Sequence, residues 1–174
     1  MSNDKKEALS IVENLNILPK LSSYGRAELV GSVVLDLIVK RDIDIHLLLV
    51  QDNLISVAQE VVGFLLQKSD VQQVRATKYY GDSINITIDS YKGSSGDWSI
   101  DIWLTTNKDR TGFEKTEKLK KELMQKQRET IMQLKEYMHK QGRLRDGMSS
   151  VIYKAVIESE VRTPEELELF FELL

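Results

Sequence analysis

Three aspartates in two short hydrophobic segments are the residues of this sequence best suited to chemistry. Asp42 and Asp44 alternate with isoleucines, so on a strand the two carboxylates share one face. Asp101, also flanked by isoleucines, repeats the pattern further along the chain. Neighbouring carboxylates repel each other unless a cation lies between them, and ligands that are all oxygen select a hard ion such as Mg²⁺ or Mn²⁺. The alternative is a solvated strand end whose acids bind nothing.

A Gly-Ser pair upstream of the aspartates suggests a phosphate-binding turn. Gly31-Ser32 ends a short hydrophobic segment and precedes a helical pattern, with Ser32 as the predicted cap of a helix beginning at Val33. Backbone amides at a helix start can hold phosphate, and glycine lets the main chain approach a ligand. Ser32 adds a hydroxyl, and Arg41 is a candidate phosphate-neutralising cation, unless it is simply a solvated loop charge. A phosphate-binding turn beside three carboxylates indicates metal-assisted phosphoryl or nucleotidyl transfer.

Hydrophobic periodicity predicts the elements that must position these residues. Helical spacing covers 4–15 and 53–66, a loop covers 16–23, and β-like runs cover 27–30, 42–50, 71–80, 83–91 and 98–104. Helices are predicted over 111–140, over 149–158 and from Thr163-Pro164 to Leu174. This order predicts an α/β (α+β) fold, a mixed sheet with flanking helices over 1–106, followed by a C-terminal helical region over 107–174 that packs on it.

Composition excludes several kinds of site. The 174 residues include no cysteine and two histidines, which rules out disulfides and thiolate metal sites and nearly excludes a multi-histidine zinc site. A formal net charge of -3 argues against nucleic acid as a partner. The hydrophobic runs are too short to cross a bilayer and the N-terminus has no signal-peptide core, so the sequence predicts a cytoplasmic protein without membrane contact.

The chain resembles the DNA polymerase beta-like nucleotidyltransferase superfamily in one extended motif. The motif is an apolar strand, Gly31-Ser32, a short helix, Asp42-Ile43-Asp44-Ile45, and a later strand acid matched by Asp101. The resemblance covers roughly residues 24–104. It is nearest to the small bacterial branch of aminoglycoside and lincosamide nucleotidyltransferases, whose minimal α/β domain is also followed by helices. The sequence departs from the pattern at Asp36, where many members have glycine.

This resemblance implies a metal-dependent transfer of a nucleoside monophosphate from a nucleoside triphosphate to a hydroxyl of a small-molecule acceptor, with release of pyrophosphate. It implies that Asp42, Asp44 and Asp101 hold two Mg²⁺ or Mn²⁺ ions, one orienting the donor triphosphate and one activating the acceptor, with Asp101 as ligand or general base. In similar proteins a C-terminal helix closes over the nucleotide, which makes Lys154 a candidate phosphate contact. Two alternatives stay open: a non-catalytic nucleotide-binding or antitoxin-like module of the same fold, and a plain structural domain.

Two residues near the aspartates and the apolar C-terminus complete the predictions. Trp103 shares a strand face with Asp101 and is a candidate to stack on a base or substrate ring, unless it packs in the core. His46 shares a face with Asp44. It either lines an acceptor pocket or has its hydrogen bonds satisfied within the sheet, without a role in binding. The C-terminal apolar residues must be buried on the domain or against a second copy, so a homodimer is a possible assembly; they are Leu167, Leu169, Phe170, Phe171, Leu173 and Leu174.

Overall fold

A mixed five-stranded sheet organises the fold in a computed structural model that describes residues 1–79, 81–145 and 147–173. Its strands are β1 (Gly25–Val30), β2 (Asp42–Leu49), β3 (Arg75–Tyr79), β4 (Ser83–Lys92) and β5 (Asp97–Thr105). They lie in the order β1-β2-β5-β4-β3. The β2–β5 pair is parallel and the other neighbours are antiparallel. This mixed sheet with flanking helices confirms the predicted α+β class.

Helices precede, interrupt and follow the strands. They are α1 (Asn3–Leu15), α2 (Ile17–Ser22), α3 (Gly31–Leu35), α4 (Leu54–Leu66), α5 (Phe113–Glu122), α6 (Gln125–Lys140), α7 (Met148–Glu158) and α8 (Pro164–Glu172). The last helix begins where the sequence predicts it. Thr163 accepts a hydrogen bond from the Glu166 N–H at 3.3 Å, and Pro164 takes the first helical position, where its missing N–H has no partner to lose. The predicted helix end, Leu174, lies outside the described residues.

The structure corrects the sequence prediction in three segments. Residues 16–23, predicted as a loop, contain α2; Pro19 lies in its first turn, where a helix tolerates proline. The helix predicted over 111–140 is broken into α5 and α6 at Met124, whose backbone is extended and whose N–H donates to the Gln127 side chain at 3.1 Å. The strand predicted over 71–80 is limited to β3 among the described residues, and Tyr80 lies outside them.

The hydrophobic core lies on one face of the sheet. Ile43, Ile45 and Leu47 of β2 are fully buried, and the partly exposed residues between them point to the other face. Helices α1, α2 and α4 supply buried residues to the same cluster, as do the buried positions of β4 and β5. Trp98, at the start of β5, is also fully buried there. The polar side chains that alternate with the buried hydrophobic ones along the strands therefore lie on the opposite face of the sheet.

The chain divides into two compact units, Met1–Lys120 and Lys121–Leu174. The first unit holds the sheet and the beginning of α5. In the second unit, Arg143 donates to both carboxylate oxygens of Glu168 on α8, at 2.6 and 3.0 Å. Of the C-terminal apolar residues, Leu167 is buried, whereas Leu169 and Leu173 are exposed. Within the described parts of the chain, no helix has both the length and the hydrophobicity to cross a membrane.

Candidate functional site

The face of the sheet opposite the core is lined with polar side chains. On β2, Asp42, Asp44 and His46 alternate with the buried hydrophobic residues and are partly exposed. Asp101 and Trp103 occupy the equivalent positions of β5. We call this surface the polar face. Because strands β2 and β5 are neighbours, the two acidic segments that are far apart in the sequence lie next to each other on it.

The register of the parallel pair places Asp44 directly beside Asp101. Asp42 lies one step earlier on β2, beside Ser99 of β5. Neighbouring strands are separated by roughly 4.8 Å, so the two aspartates at the same level are close enough to act on one ligand. The structure thus brings together the three carboxylates that the sequence analysis singled out.

Asp101 is held in place by two side chains of β4 that the sequence analysis did not assign to the site. The Thr87 hydroxyl donates to Asp101 Oδ1 at 2.8 Å, and the Asn85 amide donates to the same oxygen at 3.2 Å. Both donors are buried and Asp101 is partly exposed, so the contacts lie at the boundary between the sheet and the solvent. The two donors address Oδ1 and leave Oδ2 as the oxygen that they do not engage. Polar and hydrophobic residues alternate over 83–91, which places Asn85 and Thr87 on one strand face. The sequence does not show that β4 lies beside β5, so their contact with Asp101 could not be predicted.

The Gly-Ser turn adjoins the carboxylates. Gly31 has φ +67°, a conformation that favours glycine, and a Cβ added there would stand 3.4 Å from Asp44 Oδ2. Its N–H donates to the Thr116 hydroxyl of α5 at 3.1 Å. Helix α3 begins at Gly31, so the prediction that Ser32 caps a helix starting at Val33 is wrong; the Ser32 hydroxyl instead donates to Asp42 Oδ1 at 3.4 Å.

Asp36 adopts the backbone conformation for which glycine is usually selected. It lies in the left-handed region at φ 56° and ends α3, and aspartate is one of the few residues that enter this region readily. Its carboxylate accepts hydrogen bonds from the Ser2 hydroxyl and from the Ser2 N–H, the latter at 3.0 Å. Partial burial raises the pKa of Asp36, but the hydrogen bonds from Ser2 and the charge of Lys5 outweigh it and hold this pKa below its ordinary value. The departure from the family pattern therefore leaves the turn intact.

The two predicted cationic contacts, Arg41 and Lys154, belong to different units. The Arg41 guanidinium lies 3.9 Å from Asp4 of α1 and against Gly96, on the side of the sheet that α1 covers. The structure does not bring it to the polar face. Lys154 lies on the exposed side of α7, in the second unit.

The donor atoms on the polar face suit a hard divalent cation. In the chain as described, residues 80, 146 and 174 aside, no group of three or more His, Cys, Asp and Glu side chains is arranged to hold a metal ion. Carboxylate oxygens are nevertheless the ligands that Mg²⁺ and Mn²⁺ prefer. Asp42, Asp44 and Asp101 share one face on neighbouring strands, so the chemistry of these donors, though not their present arrangement, suits such an ion.

His46 has a structural role beside the acidic residues. Its Nδ1 accepts a hydrogen bond from the Gly112 N–H at 2.9 Å, and its ring packs near Phe113 at 6.3 Å between centroids. Burial lowers the pKa of His46 to about 4, so the imidazole is neutral at pH 7. This hydrogen bond holds the segment that leads into α5. Helix α5 in turn places the Thr116 hydroxyl within hydrogen-bond distance of the Gly31 N–H. Of the two roles considered for it, this geometry is that of a satisfied histidine.

His46 is expected to make the protein less stable as the pH falls. Its folded-state pKa lies below its ordinary value of 6.5, so the unfolded chain binds more protons between pH 6.5 and 4, and stability is lost over that window. Between pH 7 and pH 5, the loss from His46 should be about 1 to 2 kcal/mol. His46→Asn keeps an acceptor near Nδ1 and cannot titrate. Urea unfolding should show a shallower pH dependence for this variant; identical slopes for variant and wild type would contradict the assignment.

Comparison with known proteins supports the fold. No protein-family model matches the chain, and no curated protein matches it in sequence. Among solved structures, the chain is similar to the poly(A) polymerase complex GLD-2–GLD-3, with a TM-score of 0.71 and 15% identity over 90% of this chain and 53% of that one. It is also similar to Cid1, in a structure addressing its RNA terminal uridylyl transferase activity, with a TM-score of 0.62 and 18% identity over 82% of this chain and 42% of that one.

A further structure similar to the chain is the Cid1 poly(U) polymerase with MgGTP bound, with a TM-score of 0.63 and 16% identity over 80% of this chain and 43% of that one. The chain spans about half the length of these proteins. At this level of identity the similarity concerns the fold. The chain therefore has the mixed-sheet α+β fold of the nucleotidyltransferases to which it is similar.

Proposed function

We propose that this chain transfers a nucleoside monophosphate from a nucleoside triphosphate to a hydroxyl group and releases pyrophosphate. The observation that carries the proposal is the pairing of Asp44 with Asp101 on neighbouring parallel strands, next to the Gly31 main chain. Nucleotidyltransferases of the same fold, one of them with MgGTP bound, support it. A closer relation to the small bacterial aminoglycoside and lincosamide branch remains a prediction from the sequence motif.

The reaction divides the work among the residues of the polar face. The acceptor oxygen attacks the α-phosphorus, a new O–P bond forms, and the bond to the bridging oxygen of the β-phosphate breaks, so that pyrophosphate leaves with that electron pair. Asp101 takes the acceptor proton through Oδ2 or, if that oxygen binds a cation, the proton passes to a solvent water; in both cases Thr87 and Asn85 hold Oδ1. Asp42, Asp44 and Asp101 would hold Mg²⁺ or Mn²⁺, which supplies positive charge against the triphosphate when bound.

The Gly-Ser turn and Lys154 are the proposed contacts to the triphosphate. Gly31 brings the main chain beside Asp44 without a side chain in the way. The Ser32 hydroxyl reaches a phosphate oxygen if it gives up its long hydrogen bond to Asp42. Lys154 stays a proposed contact from the second unit, on the basis of the sequence resemblance. Arg41 is left out of the proposed site, because its guanidinium lies on the opposite side of the sheet.

Two classes of acceptor fit this proposal. The net charge of -3 favours a small hydroxylated molecule, because a protein that binds nucleic acid through its phosphates needs a basic surface. The similarity to GLD-2 and Cid1 favours the terminal hydroxyl of an RNA. The assay therefore includes both classes.

The test measures turnover and metal binding separately. The full chain is incubated with each of the four radiolabelled nucleoside triphosphates, Mg²⁺, and either a panel of small hydroxylated compounds or a short single-stranded RNA; we expect acceptor-dependent pyrophosphate release. Mn²⁺ binding is measured by electron paramagnetic resonance, and Asp42→Ala/Asp44→Ala should abolish it. Equal Mn²⁺ binding by the double variant would refute the metal site. Nucleotide binding without turnover would favour the non-catalytic or antitoxin-like module.

A further inference from the structure

Two aromatic rings form a pair on the polar face that neither the core nor the proposed chemistry uses. Trp103 follows Asp101 by two residues on β5, and Tyr79 lies on β3, at the edge of the sheet. Their ring centroids are 5.1 Å apart, with an angle of 44° between the planes. Tyr79 is 38% exposed and Trp103 is partly exposed, whereas the other tryptophan, Trp98, is fully buried on the core face.

Trp103 lies one level along the sheet from Asp44 and Asp101, and Tyr79 lies one level further, beside Ser83. Strand register aligns Asp44, Asp101 and Thr87 at one level, and Trp103 and Asn85 at the next. Successive levels on one face are about 7 Å apart, since a strand rises about 3.4 Å per residue. A nucleoside bridges such a step, because its base and its ribose hydroxyls lie on opposite sides of the sugar.

We propose that the Tyr79–Trp103 pair stacks on the terminal base of a single-stranded RNA acceptor and thereby directs its ribose hydroxyl toward Asp101. This inference rests on the proposed nucleotidyl transfer and selects RNA from the two acceptor classes. An unpaired base offers a flat ring to an aromatic surface, whereas a base inside a duplex is covered on both faces. Asn85, beside Trp103, places a side-chain amide at the same level of the polar face.

Stacking, rather than attraction to phosphate, carries the binding in this proposal. The chain has a net charge of -3, and the carboxylates beside the pair repel a phosphate backbone. Arg75, a cation at the same edge of the sheet, is paired with Asp89 at 2.7 Å. A stacked base is worth about tenfold in affinity or more. The affinity for RNA should therefore depend only weakly on salt concentration, unlike that of a protein that binds the backbone.

Fluorescence of a single tryptophan tests the proposal without any need for catalysis. Trp98→Phe leaves Trp103 as the only tryptophan of the full chain, because the sequence has two. The probe is a single-stranded RNA hexamer of adenosine, whose purine rings have the larger stacking surface, added without nucleoside triphosphate or metal. We expect saturable quenching of Trp103 emission. A hexamer whose terminal nucleotide lacks its base keeps the phosphates and hydroxyls, and should quench far less.

Variants separate stacking from packing. Measured with a 5′-labelled hexamer by anisotropy, Trp103→Leu should weaken binding about tenfold, whereas Trp103→Phe should restore most of the affinity, since leucine fills space but does not stack. Tyr79→Leu should also weaken binding. The matched control is Tyr24→Leu, because the Tyr24 hydroxyl bonds Glu60 of α4, away from the polar face.

The outcomes distinguish this inference from the proposed function. Equal quenching by the intact and the abasic hexamer would overturn the stacking surface, and so would equal binding by Trp103→Leu and wild type. Quenching by a small aromatic alcohol but not by RNA would overturn the assignment to RNA. Quenching without nucleotidyl transfer would leave the stacking surface standing and count against the proposed function alone. Transfer to RNA that is unaffected by Trp103→Leu would support the proposed function and count against the stacking surface alone.

Discussion

Replacing Asp44 with asparagine is expected to lower the rate of the proposed nucleotidyl transfer by about a thousandfold and to leave the fold intact. Asparagine has nearly the same shape as aspartate but lacks the negative charge that would hold a divalent cation against the triphosphate. Asp101→Asn should have a similar effect, because Asp101 lies directly beside Asp44, and its Oδ2 is the oxygen that Thr87 and Asn85 do not engage. The measurement is pyrophosphate release from the labelled triphosphate at saturating Mg²⁺.

A carboxylate outside the site provides the control for this prediction. Asp89 lies on β4 near the same face, but it is exposed and paired with Arg75 at 2.7 Å. Asp89→Asn should retain activity within a few-fold of the wild type. Thermal unfolding should show that all three variants are folded. If Asp44→Asn keeps a tenth or more of the activity, the carboxylates do not carry the chemistry.

Trp98→Ala is expected to lower the free energy of unfolding by about 3 to 5 kcal/mol. Trp98 is fully buried in the core between the sheet and its helices, so its removal leaves a cavity that the packed surroundings cannot fill. This loss is a large part of the total stability of an ordinary domain. Urea unfolding at pH 7 measures it.

Two other substitutions show whether burial on the core face is the cause. The indole Nε1 of Trp98 is buried and has no hydrogen-bond partner among the described residues, so Trp98→Phe relieves an unsatisfied donor and should be much milder than alanine. Trp103→Ala, on the polar face, should lose less than about 2 kcal/mol because Trp103 is already partly exposed. If Trp103→Ala is the more destabilising of the two alanine variants, the assignment of the sheet faces is wrong.

The chemistry-bearing residues could be proposed from local patterns because those patterns are set by neighbours in the chain. Alternation along a strand requires Asp42 and Asp44 to share a face, and Thr163-Pro164 marks the start of α8 by its own capping chemistry. The same local reasoning failed at α2, where Pro19 suggested a loop, and at Met124, where an unbroken helical composition concealed the end of one helix and the start of another. Composition records which residues favour a helix, and not where tertiary packing interrupts it.

The partners of the site residues depend on contacts between distant segments. Asp101 accepts hydrogen bonds from Thr87 and Asn85, and Gly31 donates to Thr116, 85 residues away in the chain. No periodicity encodes which strand adjoins which, so β4 beside β5 and the level of Asp44 beside Asp101 emerge only when the whole sheet forms. The same applies to Arg41, whose position next to Asp42 in sequence suggested a phosphate contact, although its side chain points to α1.

Alternation along a single strand was thus sufficient to predict that Asp42 and Asp44 share one face, because side-chain direction on a strand is a property of the backbone itself, and the order of the elements was sufficient to predict the α+β class. Strand order, register and the pairing of Tyr79 with Trp103 were decided by the tertiary structure. The physical reason is that burial of the isoleucine face against α1, α2 and α4 selects one arrangement of the five strands. That arrangement then determines which side chains are neighbours on the polar face.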